Sequence, residues 1–163
     1  MTENFIKQFV YSKGMSRRVA LIGTEQDILP LVRARLEEAG HQVVYGLERP
    51  GRIVRPDGSY TKRAFEVGPE VNDMLVGLVL GAQPDVTVLC NGQGFLGFCA
   101  AYERRGQVPP LVAMTGGGQD MVDALLRFTP QVLRIPQQLG CLSSTVERVV
   151  MNAAYRTAAS SAA

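Results

Sequence analysis

Short apolar runs, each closing on a turn residue and separated by segments of helical spacing, constrain this chain more than any other feature. Val19-Ala-Leu-Ile22 ends at Gly23, and Val86-Thr-Val-Leu-Cys90 ends at Asn91-Gly92. Pro110-Leu-Val-Ala-Met114 ends at Thr115-Gly-Gly-Gly118, and Gln131-Val-Leu-Arg-Ile135 ends at Pro136. A fifth run, His41-Gln-Val-Val-Tyr45, follows a helix-ending glycine. Apolar runs of this length without in-out alternation suit strands covered on both faces. Parallel neighbours need crossover connections, which are right-handed.

The segments between the runs supply those crossovers. In TEQDILPLVRARLEEAG, Thr24 or Asp27 can cap a helix carrying Ile28, Leu31, Val32 and Leu36, and Gly40 ends it. Pro30 falls in the first turn, where a missing N–H costs little. Further helices are expected over Pro69–Leu80, Phe95–Arg105, Asp120–Phe128 and Leu142–Tyr155, the last capped by Ser143 or Ser144. The expected fold is α/β: an open, doubly wound, five-stranded parallel sheet of order 2-1-3-4-5. Residues 1–16 read as an N-terminal extension with a short apolar face, 17–156 as the domain, and 157–163 as a flexible tail. Residues 46–67 interrupt the rhythm. Ile53-Val54, a Pro56-Asp57-Gly58 turn and Tyr60 to Val67 predict a protruding β-hairpin. It carries Arg49, Arg52, Arg55, Lys62 and Arg63. These cations can face an acidic protein surface or nucleic acid, or form a solvated ribbon.

Several function classes find no support. The net charge of +2 gives no strong electrostatic attraction to nucleic acid, so direct contact is not expected. No stretch approaches the roughly 20 apolar residues of a membrane span, and the N-terminus lacks the apolar core of a secretory signal. Cys90, Cys99 and Cys141 are an odd set without CxxC spacing. They predict neither disulfides nor a metal site, and fit three small buried hydrophobes in a reducing cytoplasm. His41, the only histidine, reads as a packed or solvated residue and leaves a Ser-His-Asp triad without context. Gly116-Gly117-Gly118 lacks the Lys and Ser/Thr of a phosphate-binding loop.

In such sheets ligands bind beyond the carboxyl ends of the strands, where the strand order reverses. Gly23, Thr24 and Glu25 after the first strand, Cys90, Asn91 and Gly92 after the third, and Thr115 and Gly116 after the fourth would meet there. Here the chain resembles the receiver domains of response regulators, a flavodoxin-like fold. LIGTEQDILPLVRARLEEAGHQVV resembles a receiver's first strand, first helix and second strand. PDVTVLCNGQGFLGF resembles the third strand and its loop, PPLVAMTGG the fourth, and VLRIP the fifth.

Receivers take a phosphoryl group on an aspartate, with Mg²⁺ on an acidic pair and a lysine on the phosphoryl oxygens. The resemblance sets the acidic pair on Gly23 and Thr24 with Glu25 beside them, the phosphoacceptor on Cys90, and the lysine on Ile135. Pro136 and the switch hydroxyl, Thr115, are kept, while the switch aromatic falls on Val132. Mg²⁺ wants hard oxygen ligands, and phosphoryl transfer is mostly positioning and charge neutralisation. The resemblance therefore implies a pseudo-receiver: no enzyme, no cofactor or metal, and a cytoplasmic, bacterial interaction module in signalling or transcription regulation. Its partners would be proteins, or a second copy, docked on the fourth helix, fifth strand and fifth helix, where Arg127 and Arg134 lie. Two other classes stay open. The neutral, glycine-lined site can sense a nucleotide or metabolite, or Cys90 can act as a reachable thiol. The DxHxxG signature of B12-binding domains is not present.

Overall fold

The structure is a computed structural model that describes residues 16–23, 28–46, 52–54, 60–63, 69–91 and 95–162. Strand β1 (Arg18–Gly23) leads to helix α1 (Leu29–Glu38) and strand β2 (Gln42–Gly46). Short strands β3 (Arg52–Val54) and β4 (Tyr60–Arg63) precede α2 (Pro69–Gly81), β5 (Val86–Cys90) and α3 (Leu96–Arg104). Strand β6 (Leu111–Thr115), α4 (Gln119–Leu126), β7 (Val132–Arg134), a 3-10 turn (Leu139–Cys141) and α5 (Leu142–Ala162) complete the order.

The main sheet has the order β2-β1-β5-β6-β7, and each described pairing in it is parallel. This is the expected 2-1-3-4-5 sheet. The hairpin is present as a separate two-stranded sheet, β3 antiparallel to β4, and residues 64–67 of its expected second strand lie outside the described residues. Of the N-terminal extension, 1–16, residues 1–15 lie outside the described residues.

The pleat divides the core into two layers. On one face Val19, Leu21, Val86, Val88 and Cys90 pack under α1 and α5, through Val32, Leu36, Val146 and Val149. On the other, Ala20, Ile22, Leu89 and Ala113 pack under α2, α3 and α4, through Leu75, Val79, Phe98 and Leu125. The strands need to be apolar on both sides because both sides are covered.

Local signals mark both ends of α1, although its N-cap residue is Ile28 and not the expected Thr24 or Asp27. Pro30 sits in the first turn of α1, as expected. Gly40 adopts φ 89° past its last turn, which a residue without Cβ does freely. The His41 N–H donates to Leu36 O and the Gly40 N–H to Glu37 O, the paired bonds of a Schellman ending. Two further expectations fail. Ser144 does not cap α5: its hydroxyl donates to Cys141 O at 3.0 Å, and the 3-10 turn precedes the helix instead. The last helix, expected to end at Tyr155, runs on to Ala162. Thr157-Ala-Ala-Ser-Ser-Ala162 is rich in alanine, the best helix former, and holds no breaker.

Candidate functional site

The carboxyl ends of β1, β5 and β6 lie side by side. Gly23 is in register with Cys90, Cys90 with Met114, and Thr115 with Arg134 of β7. The Ile135 N–H donates to Thr115 O at 2.9 Å, so four of the expected site residues, Gly23, Cys90, Thr115 and Ile135, meet at one edge. Thr24, Glu25 and Gly92 lie outside the described residues.

The edge is packed with apolar groups. Cys90 is 0% exposed and joins Leu21, Leu29, Met114 and Ile135 in one hydrophobic cluster. A Cβ added at Gly23 would stand 2.7 Å from Leu29 Cδ2, 2.9 Å from Cys90 Cβ and 3.1 Å from Cys90 O. The backbone of β1 approaches β5 so closely that only glycine fits. Thr115 is buried, and its Oγ1 accepts the Gly117 N–H at 3.0 Å. Asn91 turns the chain with φ 62°, a left-handed conformation that asparagine tolerates. The Ile135–Pro136 peptide is cis. Ile135, where the resemblance puts a lysine, is buried.

These contacts correct the reading of Cys90 as a reachable thiol, since its side chain is enclosed by the sheet and α1. They also correct the reading of three buried cysteines: Cys90 and Cys99 are buried, whereas Cys141 is exposed in the 3-10 turn. Burial pushes the Cys99 thiol up to about 12. His41 is packed, with its Nδ1 accepting the Arg17 backbone N–H at 3.3 Å. Burial is the main cause holding its imidazole below the usual 6.5, with the Arg17 charge adding to the fall and Glu147 opposing it. Arg17 reaches Glu147 on α5 at 2.9 Å.

The tentative interaction residues fall in two places. Arg127 is exposed just after α4. Arg134 is exposed on β7, and its guanidinium donates to the Gln119 side-chain carbonyl of α4. Arg148 of α5 donates to Gln131 Oε1 at 2.6 Å, so α4, β7 and α5 form one linked face. Met121 and Leu126 on α4, and Met151 and Tyr155 on α5, are exposed. On the hairpin, Arg52 and Arg63 are register partners and Lys62 lies on β4. Arg49 and Arg55 lie outside the described residues.

A cavity of about 270 Å³ lies away from this edge, beside Leu111, where β6 begins, and the loops that lead into β6 and β7. The sequence reading did not find it, because its walls come from residues scattered between Cys99 and Arg156. Among the described residues no group of three or more His, Cys, Asp or Glu could hold a metal ion. Among them, too, no helix is long and apolar enough to cross a membrane.

No protein-family model matches the sequence, and no curated protein matches it. Solved structures do. The Francisella response regulator 1452 receiver domain superposes with a TM-score of 0.59 at 10% identity, over 84% of this chain and 98% of that one. A receiver domain protein from Clostridium thermocellum gives 0.59 at 14% identity, over 85% and 97%. NtrX from Brucella abortus gives 0.62 at 17% identity, over 90% of this chain and 29% of that one. The fold is therefore that of response-regulator receiver domains.

Proposed function

We propose that this chain is a receiver-type signalling module that works without aspartyl phosphorylation. It would dock a protein partner of a bacterial signalling or transcription-regulating complex in the cytoplasm. The observation that carries this reading is the filled carboxyl edge. The position of the phosphoacceptor holds a fully buried Cys90, and the position of an acidic ligand, Gly23, has no space for any side chain. The lysine position holds a buried Ile135. A phosphoryl group brought there would meet apolar packing rather than a metal and a cation.

The test is incubation with acetyl phosphate, or with beryllofluoride, in the presence of Mg²⁺. Intact mass should be unchanged and the melting temperature should not respond to Mg²⁺. A stoichiometric adduct, or a Mg²⁺-dependent rise in melting temperature, would overturn the reading.

The linked face of α4, β7 and α5 is the favoured docking surface. Its exposed Met121, Leu126, Met151 and Tyr155, beside Arg127 and Arg134, give an apolar patch with a cationic rim, the composition of many protein interfaces. A homodimer through this face is the simplest version. Light scattering of the native chain and of Tyr155→Arg distinguishes a self-association that the variant loses from one that it does not. The basic hairpin, residues 49–63, is the second contact, tested by pull-down with that segment replaced by a short glycine linker.

A further inference from the structure

The cavity near the start of β6 has an apolar floor and a charged rim. Tyr102 of α3, Leu111 of β6, Phe128 after α4 and Val149 of α5 line it. So do three polar residues: Glu103 at the end of α3, and Asn152 and Arg156 on α5. Helix α3 packs on one face of the sheet and α5 on the other, so Glu103 and Arg156 reach the cavity from opposite sides. Both are exposed, and neither side chain has a hydrogen-bond or ion-pair partner among the described residues.

Three polar groups that line the cavity already have partners. The Tyr102 hydroxyl donates to Pro109 O at 2.8 Å and lies 3.0 Å from Thr87 Oγ1. The Thr129 hydroxyl donates to Leu111 O at 2.6 Å, and Gln131 Oε1 accepts from Arg148. An occupant therefore needs an apolar body for the floor. Its charged ends are left to the two unpaired ions on the rim. A cation and an anion on opposite walls select a dipolar molecule over one of a single sign. The volume is just below the roughly 300–1,000 Å³ of drug-sized ligand sites, which suits a molecule of amino-acid size.

We propose that this cavity binds a free apolar α-amino acid of leucine or phenylalanine size as its zwitterion. The carboxylate meets Arg156 and Asn152, the ammonium meets Glu103, and the side chain lies against Tyr102, Phe128 and Val149. Occupancy would hold α3 to the last turns of α5, the helix whose outer side carries Met151 and Tyr155. The proposal does not depend on how the module stands toward phosphorylation, so a positive acetyl phosphate test would leave it untouched.

The test uses the full chain, with calorimetry and melting curves in L-phenylalanine and L-leucine. Phenylacetate, which lacks the ammonium, and phenethylamine, which lacks the carboxylate, are the comparison probes. An amino acid at tenfold its Kd should raise the melting temperature by about 3–6 °C. Each truncated analogue should bind about tenfold more weakly or worse, as should L-phenylalanine to Arg156→Gln and to Glu103→Gln. Ala153→Phe, at another lining position, should abolish binding. No binding by either amino acid overturns the proposal. So does phenylacetate binding as well as phenylalanine with Glu103→Gln unaffected, or affinity undiminished in Arg156→Gln.

Discussion

A methyl group added at Gly23 meets two different neighbours. Leu29 Cδ2, at 2.7 Å, is the end of a flexible side chain and can turn aside. Cys90 Cβ, at 2.9 Å, is fixed to the backbone of the adjacent strand and cannot. Gly23→Ala should therefore lose about 1–3 kcal/mol in urea unfolding, and Gly23→Asp more, with no gain in Mg²⁺ response. The sequence revealed that the charges were missing at Gly23, Cys90 and Ile135. It did not reveal that the space was missing too, because that depends on the pairing of residues 67 positions apart. His41 gives a second test. Its pKa is depressed in the fold, so the unfolded chain binds the extra proton more readily. Stability is then complete above 6.5, the ordinary value, and falls as the pH drops through the lower folded value. His41→Asn keeps an acceptor for the Arg17 N–H and cannot titrate. Between about pH 7.5 and about pH 5 its urea midpoint should fall less than that of the native chain.

Among the elements, one side chain of α3 makes polar contacts to both β5 and the loop before β6. The Tyr102 hydroxyl bonds the loop before β6 through Pro109 O and meets the buried Thr87 of β5. Its ring stacks on Phe98 at 5.5 Å between centroids. Tyr102→Phe keeps the stacking and leaves Thr87 without this partner, so urea unfolding should report a loss of about 1–2 kcal/mol. Helix positions were legible from the 3.6-residue spacing, and the Gly40 ending from residue type alone. Cap identities were not. Ser144 has the right chemistry for a cap, but the 3-10 turn moved the helix start and left its hydroxyl to donate backward to Cys141. The last helix outruns its expected end at Tyr155. Past that point α5 has little to bury, and alanine propensity continues it.

At the scale of the whole molecule, the strand order was legible because continuous apolar runs with crossovers leave few other arrangements. The hairpin was legible as an interruption of that pattern, and it forms a sheet of its own. Replacing residues 49–63 with a short glycine linker should leave the circular dichroism melting temperature within a few degrees of native, since loop length changes closure entropy only slowly. The same replacement removes five cations and one acid, a net +4, from a chain whose total is +2, leaving the remainder at −2. Isoelectric focusing should then show a molecule that is acidic rather than basic. The cavity was not legible, since no motif marks a space lined by α3, β6, α5 and the loops before β6 and β7.

The close approach of β1 to β5 at Gly23 also bears on descent. A carboxylate at Cys90 alone would be buried without a metal, and one at Gly23 alone would collide with Cys90. A lysine at Ile135 alone would replace a buried isoleucine with a charge. Each single step toward a charged site should therefore lower stability on its own, and only changes made together could escape that cost. Substitutions at exposed positions on the outer faces of the helices carry no such cost.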